Sequence, residues 1–316
     1  MKNKKYKIEN IKGDASFRKF YRKYFNLKSS IIVFANKEKE KNLLIYDAVN
    51  KILIRNKIKA PKLIKERYSL NYIEIEDLGK KTMLDFLNKS QNDLKYFKKA
   101  IDLLNKLQKI KDKKTKNFIK QTYVIPNYSK EILYKEAVLF CDWYVISALT
   151  KSKHKKFNSL LKRELKKILS KLNYKNDCFV HRDFHVSNIM LNKNTISLID
   201  SQDALIGNKA YDLASLIDDV RFKTSNEIKD KMFSYFLKTR RELFPEKFKN
   251  DFEILSVLRN LKIIGIFKRL AIRDNKKKYL RLIPYAWKLI NLRINQNRNL
   301  NKLKLILQRE FPKEIK

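Results

Sequence analysis

Three oxygen-bearing side chains in one short interval are the residues of this chain best placed to do chemistry. His181-Arg182-Asp183 is followed by four residues and then Asn188, and an apolar run ends in Leu198-Ile199-Asp200. Phosphoryl transfer asks little covalent help of a protein. It needs magnesium held against the phosphates and an acceptor hydroxyl held in line. In such chemistry Asp183 accepts or orients the hydroxyl proton, while Asn188 and Asp200 supply the oxygen ligands that hard Mg²⁺ prefers. Taken singly, each residue has an ordinary structural use: an Asp before a turn caps or bends it, an Asn near a hairpin satisfies backbone groups, and His181 packs or hydrogen-bonds. The complete H-R-D-x-x-x-x-N pattern, followed by an apolar run ending in Asp, is what singles out a kinase site.

The elements that must position these residues are legible in outline. Between Asp177 and Asp200 two brief runs flank an Asn192-Lys193-Asn194 turn, which predicts a small β-hairpin with the candidate residues on its flanking loops. Up to about Gly79 strand signals are frequent: Ser30 to Ala35 (SIIVFA) and Leu70 to Glu76 (LNYIEIE) are short and rich in β-branched and aromatic residues. Between them, Glu38 to Asn56 has a helical apolar pattern at Leu43, Leu44, Val49, Ile52 and Leu53. Beyond Gly79 the spacing predicts helices over Gln91 to Ile110, Ser129 to Leu149 and Phe157 to Leu172, then several amphipathic stretches from Ser225 onward. The expected fold class is therefore α+β: a small β-rich N-lobe (1–79) that binds nucleotide and a larger, mainly helical C-lobe (80–316) for catalysis and acceptor binding.

The segment His181-Arg182-Asp183-Phe184-His185-Val186-Ser187-Asn188 with Ile199-Asp200-Ser201-Gln202-Asp203 resembles the aminoglycoside phosphotransferase and choline kinase superfamily, relatives of the protein kinases. Further motifs narrow the likeness: Gly13-Asp14-Ala15-Ser16-Phe17-Arg18, Ile75-Glu76-Asp77-Leu78-Gly79, Tyr211-Asp212-Leu213-Ala214-Ser215-Leu216 and Asp218-Asp219-Val220-Arg221. Together they are similar to the bacterial N-acetylmuramate/N-acetylglucosamine anomeric kinases of cell-wall recycling. The resemblance implies a bilobal, protein-kinase-like fold with an ATP cleft between the lobes, and adenine against the backbone near Glu76 and Leu78. It also implies catalytic-loop support from His181, Arg182 and Asp212, with Asp212 bracing the loop. Read alone, Glu76 to Gly79 is a strand end followed by a helix start, and Asp212 is a carboxylate favourable at a helix N-terminus.

The chain departs from kinase patterns in three places. No G-x-G-x-x-G loop exists among its four glycines, so Ser16 and neighbouring backbone amides of the turn Gly13 to Ser16, with Arg18 nearby, are the candidate phosphate contact, or else the turn is a plain loop. Strand Ile31 to Ala35 lacks an internal lysine; Lys37, Lys39 and Glu40 follow it, and the role of the phosphate-pairing lysine is unassigned. Ser201 follows the metal-binding Asp where relatives have Phe. For the acceptor, His185, Gln202, Asp203 and Arg221 are the candidate polar contacts, with Arg221 meeting a lactyl carboxylate or merely pairing with Asp218 or Asp219.

The expected cofactors are ATP and Mg²⁺, and the expected partner is a small-molecule acceptor, a sugar whose anomeric hydroxyl is more acidic than an ordinary alcohol. Rival acceptors are an aminoglycoside, choline or homoserine. A rival of another class is a nucleic-acid-binding protein, suggested by 74 Lys+Arg against 33 Asp+Glu, a net charge of +41. The lysines are spread throughout beside abundant Ile and Asn, as a compositional bias toward A- and T-rich codons would make them, and the aromatics fall on apolar helical faces. Nucleic acid is therefore not the expected partner. Cys141 and Cys178 sit in no metal-ligand spacing and read as reduced thiols, and no apolar run approaches the roughly 20 residues needed to cross a bilayer, so a cytoplasmic location is expected.

Overall fold

A computed structural model describes residues 6–11, 18–35, 42–90, 94–192 and 195–316. The expected residues Gly13 to Phe17, Lys37, Lys39, Glu40, Lys193 and Asn194 lie outside the described residues. The chain forms two compact units, residues 1–126 with 187–204 and residues 127–186 with 205–316.

In the first unit, five strands form an antiparallel sheet: β1 (Lys7–Ile11), β2 (Lys19–Phe25), β3 (Lys28–Phe34), β4 (Leu63–Arg67) and β5 (Tyr72–Glu76), in the order β1-β2-β3-β5-β4. Helix α1 (Asn42–Arg55) covers one face, because the apolar positions of both elements fall on it. Val33, Ala35, Leu43, Tyr46, Ile73 and Ile75 form the buried cluster. Helices α2 (Met83–Ser90) and α3 (Leu94–Gln108) and the short strands β6 (Lys114–Lys116) and β7 (Thr122–Val124) follow. The basic run at Lys111 to Lys116 ends in β6.

At the end of β5 the chain turns at Gly79, whose φ of 108° suits glycine alone. Asp77 fixes this turn: it accepts from Arg22 Nε at 2.7 Å, from Ser29 Oγ at 2.7 Å and from the Gly79 N–H at 3.0 Å, while Arg22 Nη2 also donates to the Gly79 carbonyl at 2.9 Å.

The second unit begins with α4 (Lys130–Leu139), capped by Ser129, whose side chain accepts from the Ile132 N–H at 3.2 Å. The helix expected to run to Leu149 is instead interrupted by a π-helical turn at Phe140–Val145 before a short α5 (Ile146–Ala148). The cause is visible in the long helix α9 (Pro245–Arg273). Gly265 of α9 lies against the backbone at Leu139 and Phe140, so close that a Cβ would stand 2.3 Å from the Leu139 carbonyl carbon. Helix α6 (Lys151–Ser170) starts six residues before the expected Phe157, because its first two turns are basic and exposed and carry no apolar signal. Strands β8 (Cys178–Val180) and, after the two strands described next, β11 (Leu205–Gly207) pair antiparallel. They are followed by α7 (Tyr211–Ile217), α8 (Asn226–Thr239), α9, α10 (Ile283–Gln296) and α11 (Asn301–Glu310), with α7 and α10 both packed on α9.

The expected hairpin is present as β9 (Ile189–Asn192) and β10 (Thr195–Leu198), and it belongs to the first unit. Its backbone is held there by Leu191 N–H to the Lys81 carbonyl at 3.0 Å and Leu198 N–H to the Lys59 carbonyl at 2.9 Å. Compactness therefore groups this hairpin and residues 80–126 with the N-terminal strands, whereas the division at residue 79 is one of expected function. Among the described residues, no helix is long and apolar enough to cross a membrane.

Candidate active site

The candidate residues divide between the units. Asn188, Asp200, Gln202, Asp203, Glu76 and Leu78 belong to the first; Asp183, His181, Arg182, His185, Asp212 and Arg221 belong to the second. The peptide bond from Val186 to Ser187 joins the two sets.

In the first unit, the Ile199 N–H donates to the Asn188 carbonyl at 3.1 Å, which ties the loop before β9 to the residue preceding Asp200. Asp200 adopts the left-handed conformation (φ 66°, ψ 39°), sparsely populated for a residue with a Cβ. Its carboxylate accepts from Arg18 Nη2 at 2.6 Å, and Arg18 Nη1 donates to Gln202 Oε1 at 2.8 Å. Gln202 in turn donates to Asp203 at 2.8 Å, and Ser201 donates to Asn50 of α1 at 2.6 Å. The serine that stands where relatives have Phe is thus a buried hydrogen-bonding link to α1. Glu76 pairs with Lys59 at 2.5 Å, and its backbone N–H is spent on the Lys62 carbonyl at 2.8 Å; Leu78 is buried.

Whether this donor set suits Mg²⁺ can be judged from its chemistry. Among the described residues no group of three or more His, Cys, Asp or Glu could hold a metal by itself. One amide oxygen and one carboxylate match an ion that keeps several waters and takes the remaining ligands from phosphates. The Arg18 guanidinium on Asp200 is a cation already standing at that carboxylate. The residues fit, with Asn188 and Asp200 as the groups that would hold the ion.

In the second unit, the loop bearing Asp183 is held by Asp212 in the first turn of α7. The Asp212 carboxylate, wholly buried, accepts from the His181 N–H at 2.6 Å and the Arg182 N–H at 3.0 Å. Burial pushes its pKa up to about 7 against the pull of those two bonds. Arg182 has a φ of 74°, strain for a non-glycine residue that a firmly held loop can maintain. Its guanidinium grips Glu136 of α4 through Nε at 3.0 Å and through Nη2, and lies over the Tyr128 ring at 5.8 Å. Glu136 also accepts from Tyr128 and pairs with Lys262 of α9 at 3.0 Å. Burial would raise the Glu136 carboxyl, but Lys262 and Arg182 hold it below its ordinary value.

Burial would likewise raise Asp183, yet the positive charge of Lys262, with that of Arg259 and Arg221, keeps its carboxyl well below the usual carboxylate range. His185 is 4 % exposed, and burial, with Arg221 beside it, pushes its pKa down to about 3, so the imidazole is neutral at pH 7. Asp218 and Asp219 are both used internally. Asp218, fully buried, pairs with Arg293 at 2.8 Å and Lys229 at 3.1 Å and accepts from Ser256 at 2.6 Å. Asp219 accepts from the Arg221 N–H at 3.0 Å, from Arg221 Nη1 at 3.5 Å and from the Val186 N–H at 3.4 Å.

Glu136, Lys262 and Arg259 were not singled out from sequence. For Arg259 and Lys262 the signal is there in retrospect, since they are the charged residues in the largely apolar stretch 254–267 of α9. Arg259 is 4 % exposed, and its Nη1 has no hydrogen-bond partner among the described residues. A cavity of about 540 Å³ in the same unit, lined by Lys156, Phe157, Leu160, Leu305 and Ile306 among others, contains none of the candidate residues. Both cysteines are buried with thiol pKa values pushed up to about 12 by burial, as unreactive thiols should be.

Comparison with known proteins identifies the family. The family model described as "APH: Phosphotransferase enzyme family" matches residues 7–245. The chain is 29 % identical over 278 residues to an N-acetylmuramate/N-acetylglucosamine kinase of Neisseria meningitidis serogroup B, covering 86 % of this chain and 81 % of the relative. It is 28 % identical over 278 residues to a protein of the same name from Pseudomonas aeruginosa, covering 86 % and 79 %. Among solved structures it is similar to the spectinomycin phosphotransferase APH(9)-Ia in complex with ADP and spectinomycin. There the TM-score is 0.61 at 15 % identity, with 95 % of this chain and 93 % of that chain covered, a likeness of fold. The α+β architecture is thus of the protein-kinase-like type, and the chain belongs to the APH phosphotransferase enzyme family, as a small-molecule kinase whose acceptor group is an alcohol.

Proposed function

We propose that the protein transfers the γ-phosphate of MgATP to the anomeric hydroxyl of N-acetylmuramate or N-acetylglucosamine in the cytoplasm. Residues 1–79 serve the nucleotide, with Ser16, Glu76 and Leu78 among its contacts, and residues 80–316 serve catalysis and the acceptor. The observation that carries the acceptor class is how the charges near Asp183 are paired: Asp218 is neutralised by Arg293 and Lys229 and Asp219 by Arg221, while Arg259 has an Nη1 with no hydrogen-bond partner among the described residues. Such surroundings give a polycationic aminoglycoside or choline no acidic pocket and suit a neutral or anionic sugar. The names of the relatives point the same way.

Asp183 stays ionised at neutral pH and so acts as a hydrogen-bond acceptor that aims the hydroxyl, more than as a strong base. A hemiacetal hydroxyl, more acidic than an alcohol, needs no more. Asp212, His181 and Arg182 keep the loop in place, and positioning of this kind supplies much of the acceleration in phosphoryl transfer. Mg²⁺, when bound, would neutralise charge on the phosphates. His185, Arg221 and Arg259 are the polar groups of the second unit available to the sugar, with Gln202 and Asp203 supporting Arg18 and Asp200 in the first.

The test is phosphorylation of N-acetylmuramate, N-acetylglucosamine, choline, homoserine and an aminoglycoside by purified protein with MgATP, with Asp183→Asn as control. Sugar 1-phosphate formation lost in Asp183→Asn is expected. Turnover confined to a cationic acceptor would overturn the reading.

A further inference from the structure

The kinase pattern calls for a cation that contacts the nucleotide phosphates, and β3 has none inside it: Ser30, Ile31, Ile32 and Val33 occupy its middle. The first unit nevertheless contains a buried cation. Arg18, just before β2, is 6 % exposed overall. Its guanidinium lies 5.6 Å from the Phe20 ring centroid and 5.8 Å from that of Tyr46, and donates to Asp200 at 2.6 Å and Gln202 at 2.8 Å. The aromatic faces and Gln202 fix the plane of the fork, so what it presents to Asp200 is an oriented, desolvated charge. The Asp200 side chain is 35 % exposed, leaving its carboxylate open to solvent beside the arginine.

That arrangement has an electrostatic consequence. If Asp200 ligates a divalent cation, Arg18 and the ion share one carboxylate, and two positive groups are brought close in a partly buried place. Without further negative charge this is unfavourable, and an oligophosphate supplies it. Arg is suited to the task, because its planar fork matches phosphate oxygens bidentately.

We propose that Arg18 is a phosphate-contacting cation, the one the described residues supply from β2's entry where the middle of β3 has none, and that without nucleotide it holds the place of the metal at Asp200. Metal and triphosphate then bind synergistically, since the phosphates offset the repulsion between the metal and Arg18, and the metal offsets the repulsion between the phosphates and Asp200. The inference rests on the nucleotide reading of Asn188 and Asp200 given above.

Calorimetric titration of the whole protein with a non-hydrolysable ATP analogue, with adenosine and with Mg²⁺ alone tests it, on wild type, Arg18→Gln and Arg18→Lys. Arg18→Gln is expected to weaken the magnesium–analogue complex by about 10- to 100-fold, the usual effect of removing a charge-assisted contact. Adenosine affinity should not change, Mg²⁺ alone should bind more tightly once its competitor is gone, and Arg18→Lys should recover part of the analogue affinity. Equal losses for adenosine and the analogue would make Arg18 a structural brace and overturn the proposal. So would analogue affinity unchanged in Arg18→Gln. If wild type itself fails to bind the analogue, the nucleotide reading of the site falls and this proposal with it, an outcome separable from the other two. Melting temperatures of the variants identify any loss that is simply unfolding.

Discussion

Glu136→Gln is the substitution whose effect follows most directly from the second unit. Glu136 is 8 % exposed and neutralises two cations: Arg182, gripped through two nitrogens, and Lys262 at 3.0 Å. Gln keeps the shape and one acceptor oxygen but removes the charge, leaving Arg182 and Lys262 in a poorly solvated place with no anion. Breaking a buried ion pair from one side costs about 3–5 kcal/mol. With an unfolding entropy of about 2.1 cal/mol/K per residue, 1 kcal/mol is worth about 1.5 °C in a chain of 316 residues, so the melting temperature should fall by roughly 4–8 °C. The loss reaches the loop bearing Asp183, because Arg182 directly precedes Asp183 and its guanidinium is bound by Glu136. Thermal unfolding and kcat with the best acceptor measure both effects. A double-mutant cycle with Lys262→Met isolates the cause: Lys262→Met should be less damaging in the Glu136→Gln background than in wild type, by about 1–3 kcal/mol. A melting temperature within 2 °C of wild type with kcat intact, or strictly additive substitutions, would refute the claim that this charge cluster holds the loop.

Gly265→Ala puts a methyl group 2.3 Å from the Leu139 carbonyl carbon, where only backbone can yield, so despite the better helix propensity of Ala it should destabilise by about 1–3 kcal/mol or more, read by urea unfolding. The pH dependence of stability should have two limbs. Asp183, Asp218, Asp219 and Glu136 have carboxyl pKa values lowered by their cationic neighbours despite burial, so their stabilisation is complete above about pH 4 and is lost as pH falls through the folded values. Asp212 and Glu253 are raised by burial to about 7, so the folded state holds protons that the unfolded chain releases; His185, lowered to about 3, offsets about one of these two carboxyls up to about pH 6.5, and the net stability still declines from about pH 4 to about pH 7 and then levels. The melting temperature measured from pH 3 to 8 should therefore peak below neutrality, and Asp212→Asn should flatten the upper limb; a monotonic rise to pH 8 would contradict this.

Sequence alone determined the features that are local or linearly spaced. The pattern from His181 to Asp200 was readable because those residue types sit at fixed intervals along one loop and hairpin, and α1, α3, β3, β5 and the β9-β10 hairpin followed from apolar periodicity and turn residues. Tertiary structure alone decided which charges meet. Arg18 and Asp200 lie 182 residues apart, and Arg293 and Asp218 lie 75 apart. In a chain with 74 basic residues little in the linear order marks the few that are buried from the many that are solvated, the apolar setting of Arg259 and Lys262 being an exception. The same limit hid the start of α6 at Lys151, where exposed turns carry no apolar signal, and the π-turn at Phe140–Val145, which answers to the close approach of Gly265 on a distant helix. Periodicity records which face of an element is dry. The partner that dries it, and the charge that partner brings, come from residues remote in the chain, and only the fold brings them within reach.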